Sequence, residues 1–273
     1  INGTSVGNIM STGIVTIPLM KKAGFKAHYA AAIEAVASNG GQFAPPVMGA
    51  TAFLIAEFLQ MNYIDVVIAA VVPAALYYIC LFLQVDAIAL RDGLHGLPKE
   101  ELPKASKVLK KGWVFLLPLG FLLYLLFWRG FSPAVAALWA VGALLVLTIF
   151  RNRRFLTWKE WGALVVGGGE NMLPLLMIGG GAGVVIGVMN VTGLGFSLSL
   201  VLTQIGVNAG LLVMLMLTGV IAIILGMGMP TAAIYVVLSV ILAPAIVDMG
   251  VSPIAAHLFI FYFGLLSFLT PPV

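Results

Sequence analysis

GGQFAPPV at residues 40–47 and SFLTPPV at residues 267–273 each close an apolar run with a proline pair, and the two pairs lie 226 residues apart. Proline lacks a backbone donor and its ring clashes with the preceding turn, so two in succession break a helix. Shifting the chain by 226 residues brings further positions into register: Pro18 falls on Pro244, Gly24 on Gly250, Ala30 on Ala256 and Ser5 on Thr231. In each copy a Gly/Ser/Thr-rich tip, NGTSVGN (2–8) or GMGMPT (226–231), leads into an apolar arm. A proline, a glycine turn and the long apolar segment with its proline pair follow. So many breakers matched at one offset indicate an internal repeat.

The sequence around these breaks is apolar. Of 273 residues, 62% are hydrophobic and 9% charged, with a mean hydropathy of +1.12. A water-soluble domain is about half apolar and about a quarter charged, so the surplus here must face lipid. An ordinary soluble enzyme, a nucleic-acid binder and a disordered chain are excluded; an all-α polytopic membrane protein remains. The single cysteine, Cys80, lies inside an apolar run, which leaves neither a disulfide framework nor a cysteine metal site.

The placement of charge matters more than the net +4. Of 14 Lys and Arg, 13 fall in three stretches: Lys21, Lys22 and Lys26; Arg91, Lys99, Lys104, Lys107, Lys110 and Lys111; and Arg151, Arg153, Arg154 and Lys159. Loops rich in Lys and Arg stay cytoplasmic, so all three are placed on that side. Two spans, 113–128 and 132–150, then leave and return through an external turn that holds Arg129. Residues 27–60, interrupted at Pro45 and Pro46, and 63–85 supply another pair of crossings. Segment 86–111, with ten charges, reads as a cytoplasmic connector with some amphipathic helix. A span at 171–190, an external surface helix at 194–207 and an inward arm at 209–226 complete the path. Ile1 shows no signal-peptide pattern, and each copy lacks a part that the other has, so the chain reads as an internal fragment of a longer membrane protein.

The turn after the first arm carries three lysines, whereas its equivalent at 248–253 has no positive charge. The positive-inside rule therefore places the two turns on opposite faces and makes the repeats inverted. Inverted repeats with paired broken helices are the architecture of secondary transporters, whose sites lie near the bilayer midplane. Broken backbone at that depth is tolerated where it is buried in protein or lines a polar cavity. The tips expose helix N-termini, which attract a carboxylate, together with carbonyls and hydroxyls that suit an alkali cation. At the breaks, carbonyls upstream of the prolines are expected to lack partners, with Gly41, Gln42, Ser267 and Thr270 beside them.

Ionisable residues in apolar runs are candidates because their burial is costly. Glu34 is expected either to pair with a base or to carry a coupling proton. His257 is expected to be a hydrogen-bonded core histidine, and Glu170 to lie interfacially at a helix start after Gly167, Gly168 and Gly169. Glu57, Asp65 and Asp248, near span ends, are expected to be wet. Gly179, Gly183 and Gly187 form a small-residue packing face, and the 12 methionines read as packing. No nucleotide loop or hydrolase signature occurs in the sequence.

The tips and breaks carry a resemblance. SVGNIMSTGIVTIPLMKKAGF, EAVASNGGQFAPPVMGATAFLIAEFL, ILGMGMPTAAIYVVLS and AAHLFIFYFGLLSFLTPPV resemble the large membrane subunit of tripartite ATP-independent periplasmic (TRAP) transporters, most closely the TAXI type, where small and large subunits are often fused. The resemblance implies an ion-transporter-superfamily fold with two re-entrant hairpins, two interrupted helices and an elevator mechanism. It implies sodium-coupled import of an organic acid across the bacterial or archaeal inner membrane, with H+ as another candidate coupling ion and no other cofactor. The implied partners are a periplasmic substrate-binding protein, a small membrane subunit and the lipid bilayer. Carried over by motif, the substrate and cation residues are Gly3, Thr4, Ser5 and Asn8 with Gly41, Gln42, Pro45 and Pro46. In the second half they are Gly226, Met227, Gly228, Pro230 and Thr231 with Ser267, Thr270 and Pro271. Residues 1–62 and 209–273 would form the transport domain, 63–160 the scaffold and connector, and 161–208 a linking span and surface helix. A binding-protein-independent dicarboxylate carrier of the same superfamily is the alternative, and an intramembrane enzyme a remote one.

Overall fold

The computed structural model describes residues 4–94, 96, 105–152 and 154–271, and every regular element among them is helical. Thr4, in extended backbone, caps α1 (Ser5–Asn8): its hydroxyl accepts from the Gly7 N–H. A π turn at Ile9–Gly13 leads into α2 (Ile14–Lys22). The hydroxyls of Ser11, Thr12 and Thr16 donate back to carbonyls one turn earlier along this stretch, a habit that bends helices. Gly24, at φ 102°, turns the chain into α3 (Ala27–Gly40), and α4 (Ala50–Phe58) resumes after the first break.

Next come α5 (Tyr63–Arg91), α6 (Ala105–Phe127), α7 (Pro133–Asn152), α8 (Trp158–Thr192) and α9 (Leu194–Ala209). The expected spans at 63–85, 113–128 and 132–150 are present as the cores of α5, α6 and α7. Two segments among the described residues, Tyr63–Arg91 and Pro133–Phe150, are each long and apolar enough to cross a bilayer. Residues 95 and 97–104 of the connector lie outside the described residues.

α8 corrects two expectations. It starts at a capping box, where the Thr157 hydroxyl accepts from the Glu160 N–H and Glu160 accepts from the Thr157 N–H. Glu170 therefore sits inside a 35-residue helix, exposed, and not at a helix start after the glycines. Glycine costs a helix about 1 kcal/mol relative to alanine, less than the several kcal/mol of an unpaired backbone group in lipid, so the triplet does not break it. A Cβ built on Gly179, Gly183 or Gly187 meets nothing within 4 Å, so no described element of this chain packs on that face. Beyond Gly193, at φ 67°, α9 is bent 71° from the 179–189 stretch of α8.

The second copy comprises α10 (Leu211–Gly226), α11 (Thr231–Ile241), α12 (Ala243–Asp248), α13 (Pro253–Leu266) and a 3-10 turn, Ser267–Leu269. The 226-residue offset holds at the level of helices. Ser5 and Thr231 start α1 and α11, Lys22 and Asp248 end α2 and α12, and α3 coincides with α13 at both ends. Gly24 and Gly250, at φ 102° and 87°, make equivalent turns.

Helix α5 serves as a ruler. At about 1.5 Å per residue it is about 43 Å long, more than the bilayer core of about 30 Å, and Tyr77 marks its middle. The start of α3 lies at one end: the Arg91 guanidinium donates to the Tyr29 hydroxyl, and Lys26 pairs with Asp92 at 4.0 Å. The end of α3 lies at the middle, where the Tyr77 and Tyr78 hydroxyls donate to the Val36 and Ala37 carbonyls. α13 arrives from the opposite side. His257, near its start, meets Tyr235, which lies against Phe58 close to the Tyr63 end, whereas Leu265 and Tyr262 share a cavity with Tyr77. The two interrupted helices thus converge head-on at mid-depth. The first two basic stretches meet at one end of α5, while Met61 and Asn62 line one 790 Å³ cavity with residues 128–132 at the other, as the positive-inside reading expects.

Candidate site at the junction of the two broken helices

The first tip docks on the end of α3 through side chains. Ser5 Oγ donates to Asn39 Oδ1 at 3.0 Å, and Asn8 Nδ2 donates to Ser38 Oγ at 2.9 Å. Gln42, 1% exposed, donates from Nε2 to Ser5 Oγ at 2.6 Å and to Asn39 Oδ1 at 3.1 Å. Its other end reaches the second tip, since the Thr231 hydroxyl donates to Gln42 Oε1 at 2.6 Å. Ser5 and Thr231 are equivalent positions of the two repeats, so a single amide joins the two tips. Asn39 Nδ2 donates to the Leu265 carbonyl at 3.0 Å, and these two residues are again 226 apart. Equivalent residues touch only near a symmetry axis, so the local pseudo-two-fold of the inverted repeats passes through this cluster.

The second tip packs on the second break. A Cβ on Gly226 would come 2.9 Å from Ser267 Oγ and 3.1 Å from the Gly264 carbonyl, so only glycine fits without displacement. Met227, Gly228 (φ 78°) and Pro230 form the turn that delivers Thr231 to the start of α11. Ser267 and Thr270 donate to the Gly264 and Leu266 carbonyls of their own helix end.

The expected supply of unpaired carbonyls at the first break is largely absent. Val36 and Ala37 accept from the tyrosines of α5, Asn39 and Gly40 from the N–H groups of Gln42 and Phe43, Gln42 from Gly49, and Pro46 from the Tyr63 hydroxyl. Buried backbone groups find partners even beside prolines, and here a neighbouring helix supplies several. The junction therefore offers mainly side-chain amides and hydroxyls, with the N-terminal amides of α1 and α11.

Of the candidate residues, Ser5, Asn8, Gln42 and Thr231 belong to this network, and Gly226 abuts Ser267. Thr4 caps its own helix, Gly41 and Pro45 are half-buried in the break, and Pro271 is exposed. Gly3, Pro272 and Val273 lie outside the described residues. Sequence reasoning missed Ser38 and Asn39, although a polar pair three and four residues before Gln42 shares its helical face. Glu34 pairs with hydroxyls and not with a base: Thr12 and Thr16 donate to its two oxygens at 2.9 and 2.5 Å. His257 Nδ1 lies 2.7 Å from the Tyr235 hydroxyl, as expected of a hydrogen-bonded histidine, and Glu57, Asp65 and Asp248 are exposed. Met48 and Met214 are buried, but Met10, Met172, Met177 and Met216 are exposed, so the methionines are only partly packing residues.

Among the described residues no group of three His, Cys, Asp or Glu could hold a metal, which leaves neutral oxygens as the ligands on offer at the junction. No curated protein matches the chain. The family model described as tripartite ATP-independent periplasmic transporter, DctM component, matches residues 1–273. An all-helical chain with apolar spans is consistent with such a membrane component, and the chain belongs to this family of TRAP transporter large permease subunits.

Proposed function

We propose that this subunit, a TAXI-type member, imports a small carboxylate across the inner membrane, driven by a cation gradient, with sodium as the first candidate. The observation that carries the reading is the Gln42 amide, which ties Ser5 of one tip to Thr231 of the other. Two helix N-termini flanking a cluster of neutral donors favour a carboxylate, and the cation's charge would offset that of the substrate. Residues 1–62 and 209–273 move as the transport domain against 63–160 in an elevator motion, with 161–208 as the link. A periplasmic binding protein delivers the substrate, and a small membrane subunit, fused or separate, completes the scaffold. The membrane potential supplies about 2.3 kcal/mol per net positive charge per 100 mV, which at about 1.4 kcal/mol per tenfold gives about 50-fold accumulation.

The test is uptake of radiolabelled organic acids into liposomes holding the full-length subunit and its small partner, with and without the binding protein. Uptake that requires the binding protein and rises with an inward sodium gradient is expected. Uptake indifferent to every cation gradient would reject the coupling, and uptake independent of the binding protein would favour the autonomous carrier.

A further inference from the structure

We infer that the transported acid carries a single carboxylate on an apolar body, and that this body lies in a cavity between α5 and α13 beside the tips. The inference rests on the transport reading above and narrows its substrate class. The cavity measures 350 Å³, within the span usual for small-ligand pockets. Phe43 of the first break, Tyr77 at the middle of α5 and Tyr262 of α13 line it, with Leu76, Leu265 and Leu266. Phe43 meets both tyrosines edge to face, at ring-centroid distances of 5.0 and 4.8 Å.

Two polar groups bear on this apolar space. Asn39, 1% exposed, lines the cavity and also accepts from Ser5 Oγ and Gln42 Nε2, so one residue belongs to both the cavity and the tip network. The second group is the Tyr262 hydroxyl, which is buried without a hydrogen-bond partner among the described residues. Folded proteins rarely leave such a group unpaired, and one polar atom on a bound molecule would pair it.

The internal repeat shows why the acid has only one charged end. In the first half Asn8 Nδ2 donates to Ser38 Oγ at 2.9 Å. At the 226-residue offset these positions are Ile234 and Gly264. A Cβ on Gly264 would lie 2.6 Å from Ile234 Cγ2, so the second half makes the same contact without a polar side chain. Asn39 likewise corresponds to Leu265, and Gln42 to Phe268. Ser267 and Thr270 donate to carbonyls of their own helix end, and Thr231 donates to Gln42. The polar side chains of the junction thus come almost wholly from the first half, and no Lys, Arg or His belongs to the network described above.

A carboxylate can draw on the amides and hydroxyls of that one cluster. A second carboxylate on the same molecule would meet the apolar lining of the cavity and be buried without a partner, which is costly. An alkyl or aryl body in the same place leaves water for apolar surroundings, which is favourable.

The test is isothermal titration calorimetry on the full-length subunit with its small partner in nanodiscs, in sodium buffer. The probes are acetate, butyrate, hexanoate, succinate and hexan-1-ol. Burying a methylene stabilises by about 0.8 kcal/mol, so affinity should rise about fourfold per added methylene until the cavity is full. Butyrate should bind more tightly than succinate, which has as many carbons and a second carboxylate. Hexan-1-ol, with no carboxylate, should bind far more weakly than hexanoate. Cys80→Trp, on the exposed wall of the cavity, should abolish the chain-length trend, and Leu266→Ala should extend it to longer chains. Thermal unfolding checks that both variants fold. Succinate as tight as butyrate, or affinity indifferent to chain length, overturns the proposal and leaves the transport reading standing. A trend that survives both substitutions unchanged overturns the placement in this cavity. Hexan-1-ol as tight as hexanoate would make the cavity a lipid site and overturns the proposal too. If no organic acid binds, and none is taken up under any cation gradient, the transport reading falls and the proposal with it.

Discussion

Replacing Gln42 with leucine keeps most of the side-chain volume but removes the amide that both tips share. The first tip loses the bond to Ser5 Oγ, and the second loses the bond from Thr231, the one partner its hydroxyl shows among the described residues. A buried neutral hydrogen bond contributes about 1 kcal/mol net, so opening of each tip should become about fivefold easier. Ser5 keeps its bond to Asn39, which holds the first-tip effect near that value. Amide hydrogen exchange of the full-length protein, read by mass spectrometry, is the assay. Exchange should rise about fivefold at both tip peptides, around residues 4–8 and 226–234, while Thr270→Val, whose hydroxyl bonds its own helix end, leaves them unchanged. A change confined to residues 38–44 would refute the claim that one amide links the tips.

Gly226→Ala places a methyl group 2.9 Å from Ser267 Oγ, and thermal unfolding of the full-length protein should show a loss of about 1–3 kcal/mol, the usual range for overpacking. Tyr77→Phe removes the hydroxyl that donates to the Val36 carbonyl, so exchange at the end of α3 should rise by the equivalent of about 1 kcal/mol, with little change at α7. The Arg154 hydrogen bond and then those from Thr157 hold the Glu160 carboxyl down at about 2. Its folded value lies below the ordinary one, so its contribution to the α8 cap is present above the usual carboxylate range and is lost as pH falls through about 2. Carboxylate NMR titration of labelled glutamate checks this, and Glu160→Gln should remove the effect.

Much of the fold was legible because helix breakers are local. Pro45, Gly24 and Thr231 announced the break, the turn and the tip, and the 226-residue offset holds to the residue at the ends of α3 and α13. The first two basic stretches sufficed to place the start of α3 beside the end of α5. What stayed hidden depends on who sits opposite whom. The tyrosines that donate to Val36, Ala37 and Pro46 come from α5, 17 or 41 residues further along the chain, and no local pattern marks a hydroxyl as a cap for a carbonyl elsewhere. Nor does a glycine triplet reveal whether lipid will force the helix to continue, as it does through Gly167, Gly168 and Gly169. Asn39 lay in plain view beside Gln42, but its contact with Leu265 follows only from the symmetry of the assembled halves.

Sided labelling tests the inverted architecture most directly. Lys21→Cys and Asp248→Cys, placed on the two equivalent turns and both exposed, are made singly in the full-length protein with Cys80 and any other cysteines replaced. In right-side-out vesicles an impermeant maleimide should label the residue-248 position at once and the residue-21 position only after permeabilisation. Labelling of both from the same face would contradict the inverted arrangement on which the shared site depends.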